Sequence, residues 1–303
     1  MTTEIFQTPP LGNLATPSCA EAKPIVKMPT NTSNIPLPAA YRVDPLIRMS
    51  TPNTKWRTEA MRSHRSPALL WFTRGQGRIT VSGVTRGFGG HNLIFLPKHT
   101  MYGFEIIGQA YGSIVHLADD PALNLPDEPL HMRFSDLLQQ NEVTNMIDNL
   151  AREIDHDGPS KDRALSLQAG LISVWLERQI EHMPDYDMTP DASRRLAAAF
   201  TALVEQDFRQ THSIRDYAAA LGVTPTHLSR ACNIACGRPA SAIVADRVYF
   251  EARRMLKETK YPVKTISETL GFQSPAYFTR AFHKQTGLTP SAFRKTDERD
   301  LRS

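Results

Sequence analysis

Ser213-Ile-Arg-Asp-Tyr-Ala-Ala-Ala-Leu-Gly-Val-Thr-Pro-Thr-His-Leu-Ser-Arg230 and Val263-Lys-Thr-Ile-Ser-Glu-Thr-Leu-Gly-Phe-Gln-Ser-Pro-Ala-Tyr-Phe-Thr-Arg280 spell one pattern twice. Each copy reads as a short amphipathic helix, a Leu-Gly stop, and a second helix opened by a hydroxyl and a proline. An arginine follows about two turns into the first copy's second helix and at the matching place in the other. A helix-turn-helix is written in sequence this way. Two of them in one chain imply a grip on two successive stretches of DNA groove.

The residues inside each copy support the assignment. Ser213 caps a helix, and Asp216 sits three residues on, where a carboxylate favours a helix N-terminus. Gly222 admits the left-handed backbone at the helix end. Thr224 is the next N-cap, with Pro225 at the first helical position, where its missing N–H costs nothing. Leu228 and Cys232 are spaced i to i+4 to face the core, which leaves Thr226, Ser229, Arg230 and Asn233 on the opposite face. The second copy repeats this: Ile266 and Leu270 inward, Gly271 as stop, Ser274 as cap, Pro275 next, then Phe278 and Phe282 buried. Ala276, Tyr277, Arg280 and Lys284 lie outward. Arg suits guanine, Asn adenine, hydroxyls either, and small or aromatic groups the thymine methyl. Lys284 comes late in its helix and suits a phosphate.

The charge distribution agrees. The chain has 303 residues and a net charge of +4. Residues 191–303 hold 18 Lys and Arg against 11 Asp and Glu, while the rest hold 17 and 20. The positive surplus therefore lies with the repeated motif, as expected for a nucleic-acid partner. With 41% hydrophobic and 22% charged residues, the composition is that of a soluble protein. No run of about 18 apolar residues reads as a membrane span, no secretory leader is legible, and three cysteines favour a reducing compartment. The expectation is a cytoplasmic protein with no membrane partner.

Four segments follow. Residues 1–40, rich in Pro, Thr, Asn and Ser, read as disordered. Residues 41–183 begin β-rich: strands at Leu69–Thr73 and Arg78–Val81 separated by Gly75-Gln76-Gly77, then Asn92–Leu96, Tyr102–Ile107 and Tyr111–Leu117. Short antiparallel strands at this spacing suggest a small barrel or sandwich. The period then changes. Val143, Met146, Ile147, Leu150 and Ile154 mark one helix, and Asp155–Pro159 interrupts. The next helix has two apolar stripes, Ala164, Leu167, Leu171, Val174 and Leu165, Ile172, Leu176. Two stripes fit either an intramolecular hairpin or a homodimer contact. Residues 184–190 read as a linker, and 191–303 as the basic helical domain, opened by a helix over about 191–208.

The stretch Val263 to Arg294 resembles the C-terminal signature of AraC/XylS-type bacterial transcription regulators. The carriers are Ile266, Leu270-Gly271-Phe272, Tyr277-Phe278, Arg280-Ala281-Phe282, Gly287, Pro290 and Phe293-Arg294. The upstream half is similar through Ala218, Leu221-Gly222, His227-Leu228-Ser229-Arg230, Gly237, Pro239, Arg247, Ala252 and Leu256. Ala242 and Cys232 depart from the pattern, standing where larger residues are usual, and suggest a thinner core in the first half. The resemblance covers about a third of the chain. It implies two helix-turn-helix units joined by a long helix over about 239–259, reading adjacent major grooves of promoter DNA, with RNA polymerase a further partner of an activator.

Leu69 to Leu117 is similar to the cupin-like sensing domain found upstream in many such regulators, through Gly75–Val81, Gly89–Pro97 and Gly103-Phe104-Glu105. The implied fold is α+β and multidomain: a cupin-like β-barrel with a helical hairpin, then an all-α double helix-turn-helix domain. Trp71, Arg74, His91, Tyr102 and Tyr111 are candidates to line a pocket for a small-molecule effector. Strand register decides which of them do. No His-x-His occurs, Tyr102 stands where metal-dependent cupins carry a histidine, and His64, His91, His99 and His116 lack ligand spacing. Cys232 and Cys236 have no further ligands near in sequence. No metal, cofactor or enzyme activity is expected. The alternatives are a metal-dependent cupin-type enzyme with a DNA-binding appendage, and an architectural DNA binder without a ligand.

Overall fold

A computed structural model describes residues 40–46, 56–182 and 191–296. The expected disordered segment 1–40, except its last residue, and the linker 184–190 lie outside the described residues. The architecture is mixed α/β, with an N-terminal antiparallel sheet and a C-terminal helical region.

Six strands form the sheet: β1 (Arg42–Pro45), β2 (Ala68–Val81), β3 (Val84–Phe88), β4 (Asn92–Leu96), β5 (Tyr102–His116) and β6 (Leu130–Arg133). The order is β1-β5-β2-β4-β6, with β3 also paired to β2. The glycines were expected to cut β2 and β5 in two. Each is instead one long strand, and the pairing between them slips at Phe72/Arg74 and Arg74/Gln76. Gly75-Gln76-Gly77 therefore bends a continuous strand, as bulges do, instead of ending it. β1, β3 and β6 were not foreseen; their four or five residues carry no alternation strong enough to read.

Helices α1 (Leu137–Asp155) and α2 (Lys161–Glu181) form a hairpin against one face of the sheet. Leu69, Trp71, Leu93, Phe95 and Val115 meet Val143, Ile147, Leu150, Leu165, Ile172, Trp175 and Leu176 there. The alternate residues Leu70, Phe72, Ile94, Leu96 and Ile114 point the other way, joining Ile79, Tyr102 and Phe104 in a second core. Burial on both faces explains why Ala68–Phe72 is an unbroken apolar run. At about 1.5–3 kcal/mol for each large side chain removed from water, these two layers hold the sheet half together.

Seven helices follow: α3 (Ala192–Asp207), α4 (Ile214–Ala220), α5 (Pro225–Cys236), α6 (Ala240–Glu258), α7 (Val263–Thr269), α8 (Pro275–Thr286) and α9 (Pro290–Lys295). α4–α5 and α7–α8 are the two repeats, and α6 joins them. Their core is common, running from Phe200 and Phe208 through Leu228, Cys232, Ile243 and Val248 to Ile266, Phe278, Phe282 and Phe293. On the side of Cys232, α3 lies against α5, and Phe200 of α3 and Phe208 just after it join the same core. The second pair fills its interior with its own rings, Phe272 to Phe278 at 5.0 Å, Phe278 to Phe282 at 5.7 Å and Phe282 to Phe293 at 5.6 Å.

Candidate nucleic-acid interface

Both repeats are built by the same local devices. Thr224 Oγ1 accepts from His227 N at 3.2 Å, and Ser274 Oγ accepts from Tyr277 N at 3.4 Å. Proline occupies the first helical position of α5 and of α8. Gly222 and Gly271 close the preceding helices at φ of 67° and 78°. The caps fix where α5 and α8 start, and so which side chains face out. Leu228, Cys232, Phe278 and Phe282 are fully buried.

On α5, Thr226, Arg230 and Asn233 are exposed and Ser229 is half-buried. They line an open concavity of about 740 Å³ with Ile214, Pro225, Ile234 and Ser241. Ile234, 61% exposed, was missed from the sequence because it lies one residue beyond the polar face. On α8, Ala276, Tyr277, Arg280 and Lys284 are all exposed, Tyr277 at 58%. Among the described residues, Arg230, Arg280 and Lys284 make no ion pair.

Other cations of this region are consumed internally. Arg247, buried on α6, donates to Glu205 through Nε (2.6 Å) and to Glu251 through Nη1 (3.2 Å). Arg209 and Arg254 also donate to Glu251, each at 2.8 Å. Burial alone raises the Glu251 carboxyl pKa, but these three guanidiniums outweigh it and hold the group well below the carboxylate range. Arg294 donates from Nη2 to the Tyr261 carbonyl at 2.5 Å, fixing the loop before α7. Arg209, after α3, with Arg247 and Arg254 on α6 and Arg294 on α9, is thus a structural cation, whereas Arg230, Arg280 and Lys284 on α5 and α8 have no ion-pair partner among the described residues. Cys232 and Cys236 pack locally. Burial pushes the Cys232 thiol up to about 12, and Cys236 Sγ donates to the Cys232 carbonyl at 3.2 Å.

The sheet half reaches the same helices. Trp56 lies between Phe250 of α6, tilted to it at 5.9 Å, and Phe293 of α9, edge-on at 6.0 Å. Arg238 pairs with Asp246 at 2.6 Å, and Asp246 accepts from the Met61 amide at 3.3 Å.

The five residues read as pocket-lining are not brought together. Trp71 is on the hairpin face, where its Nε1 donates to Thr144 Oγ1 at 3.2 Å, with His91 beside it at 6.0 Å. Arg74 lies over the exposed Tyr111 ring at 5.8 Å. Tyr102 alone is in the sheet interior. There it shares a 2.5 Å hydrogen bond with His64 Nε2 and lies under the buried Arg62 guanidinium at 4.3 Å. His64 in turn meets His116 at 4.6 Å. Desolvation, with the neighbouring His116 and Arg62, holds the His64 pKa well below its usual value. Burial and Arg42 lower His116 to about 4. Sequence reasoning missed this cluster, since its members come from separate strands and loops. Among the described residues no group of three His, Cys, Asp or Glu side chains is placed to hold a metal ion.

A family model described as a helix-turn-helix domain matches residues 217–296. The uncharacterized HTH-type transcriptional regulator YisR of Bacillus subtilis is 26% identical over 157 residues, 52% of this chain and 53% of that protein. The arabinose operon regulatory protein of Escherichia coli is 26% identical over 170 residues, 56% of this chain and 53% of that one. The chain thus spans about half the length of the curated relatives it matches. The crystal structure of ToxT from Vibrio cholerae O395 aligns over 84% of this chain and 97% of that one, at 14% identity and a TM-score of 0.40. Matched caps, buried pairs and outward cations coincide with the matched segment, and the chain carries at residues 217–296 a helix-turn-helix domain.

Proposed function

We propose that this chain is a transcription regulator that binds promoter DNA sequence-specifically through residues 191–303. Each helix pair is then a helix-turn-helix unit, with α5 and α8 as recognition helices in adjacent major grooves about one turn apart. Unpaired, outward cations at matched places on two identically capped helices carry this reading. The two faces differ: α5 offers polar groups with Ile234 at the edge, and α8 offers Ala276 and Tyr277 beside Arg280. One chain should therefore read an asymmetric site with a fixed orientation. Selection of duplexes from a random pool by the full chain tests it. The expected result is a non-palindromic motif of two blocks about 10 bp apart. Retention of all sequences alike would refute the reading.

The sheet half, within residues 41–183, is read as a cupin-like sensing domain. Its strongest polar feature is Arg62: only 2% exposed, its Nη1 donates to the Thr58 and Ala60 carbonyls, while Nη2 is buried with no hydrogen-bond partner among the described residues. A buried guanidinium nitrogen left unpaired is costly, and an effector carboxylate beside Tyr102 would satisfy it. Thermal-shift screening of carboxylic acids against wild type and Arg62→Met tests this. A stabilising acid whose effect survives the substitution would remove Arg62 from the site.

A further inference from the structure

We infer that residues 208–212, between α3 and α4, fix the second helix pair relative to the first, and so set the number of base pairs between the two blocks of the site. The two repeats differ at their turns. In the first, a Cβ built on Gly222 meets nothing within 4 Å; in the second, one built on Gly271 lies 2.3 Å from the Arg209 carbonyl oxygen. The next residue, Val223 in the first copy, is Phe272 in the second, and its ring packs on His212 at 4.9 Å. The turn of the second pair is thus docked on this segment, where the first has open space beside its glycine.

The same segment is gripped from two other sides. Tyr217 of α4, buried, donates from its hydroxyl to the Thr211 carbonyl at 3.0 Å. Phe208 is buried under the Arg247 guanidinium of α6 at 3.9 Å, and Arg209 donates from Nη2 to Glu251 of α6 at 2.8 Å. His212 donates from Nε2 to the Phe208 carbonyl at 3.0 Å, which holds its ring beside Phe272. The first pair, α6 and the second pair therefore all meet on residues 208–212. The covalent connection between the pairs, by contrast, is α6, a single helix of 19 residues and so about 28 Å long. A swing of about 7° at that length displaces α8 by about 3.4 Å, one base-pair step. Telling one spacing from the next requires the pairs to be held more tightly than that, and a contact away from the α6 axis closes the frame. Arg209 and His212 are positioning residues in this sense: they act on the site through α8 and lie on neither recognition helix.

The proposal rests on the reading of α5 and α8 as recognition helices, and its test separates the two. The full chain is titrated, by fluorescence anisotropy, with the duplex it selects and with duplexes one base pair longer or shorter between the blocks. Wild type should lose about tenfold in affinity on either change, the scale of one disrupted base-pair contact. Arg209→Ala and His212→Ala should each bring the three duplexes within about threefold of one another. A changed base inside either block should still cost them as much as it costs wild type. The Arg209 side chain is 32% exposed and His212 is half-buried, so both substitutions leave the common core in place, and urea unfolding shows that each variant is folded in the assay. Arg254→Ala removes a guanidinium from the same Glu251 but from within α6, and should keep the tenfold preference. A wild type that selects two blocks but binds all three spacings alike overturns the proposal and leaves the DNA reading standing. So do variants that weaken all three duplexes by one factor, as a merely structural role would, or an Arg254→Ala that loses the preference equally. Selection of no two-block site removes both.

Discussion

Gly222 and Gly271 occupy the same place in the two repeats, and alanine at each should have different consequences. Both stand in the left-handed region, where an L side chain costs about 1–2 kcal/mol, partly offset by about 0.4–1 kcal/mol from a stiffer unfolded chain. At Gly222 nothing lies within 4 Å of the added Cβ. Gly222→Ala should therefore cost about 1 kcal/mol. At Gly271 the Cβ falls 2.3 Å from the Arg209 carbonyl oxygen and 3.1 Å from its carbon. That oxygen is backbone at the end of α3 and cannot swing aside, so the chain must part by nearly an ångström. Overpacking of this kind adds about 1–3 kcal/mol, which brings Gly271→Ala to about 2–4 kcal/mol. Urea unfolding at pH 7, followed by circular dichroism, compares the two directly. Gly271→Ala should also weaken DNA binding, because α8 is set by the turn that Gly271 makes. Equal losses of stability, or a larger loss at Gly222, would refute the view that close approach and not the turn alone selects glycine at position 271.

Other expectations concern charge. Arg230→Ala and Arg280→Ala should each weaken specific binding by about 1–3 kcal/mol and relax preference at one block of the site only, read by competition with altered duplexes. Lys284→Ala should lower affinity for all duplexes alike and reduce the slope of log K against log salt by about 0.9; an unchanged slope removes Lys284 from the phosphates. Burial, with Arg42 and Arg62 beside it and against the opposing pull of Asp44, holds His116 neutral, with its folded pKa at about 4 against about 6.5 unfolded. The unfolded chain thus takes up the proton first. Stability should be full above pH 6.5 and fall towards pH 4, by about 2 kcal/mol at pH 5 from this group. His116→Gln should flatten that limb of the pH profile, and an unaltered profile would assign it elsewhere. Arg247→Leu leaves the buried Glu205 with only His99, at 3.5 Å, among the described residues, and Glu251 with two of its three guanidiniums, and should cost about 3–5 kcal/mol, checked by denaturant midpoint.

The doubled motif was legible because every device in it is local. Thr224-Pro225 and Ser274-Pro275 cap and start helices by contacts within four residues, and the i, i+4 pairs Leu228/Cys232 and Phe278/Phe282 declare their own buried face. The outward face, Arg230 and Arg280 included, follows from helical geometry alone. The sheet half was legible only in kind. Glycines read as strand breaks proved to be bends within β2 and β5, since whether a glycine ends a strand depends on the neighbour that pairs across it. Trp71 was assigned to an interior that belongs to Leu70 and Phe72, because a strand buried on both faces gives no alternation from which to choose a side.

The sequence by itself therefore determined that this chain carries two capped helix pairs and which residues each presents, because capping and periodicity are short-range. Only the tertiary structure decided which arginines lack an ion-pair partner among the described residues, Arg230 and Arg280, and which are bound, Arg247 to Glu205 and Glu251. It also decided which stripe of α2 is spent inside the fold, and that Arg62, His64, Tyr102 and His116 meet in one place. Each of these depends on groups far apart in the chain, and their pairing is fixed by the packing that buries them.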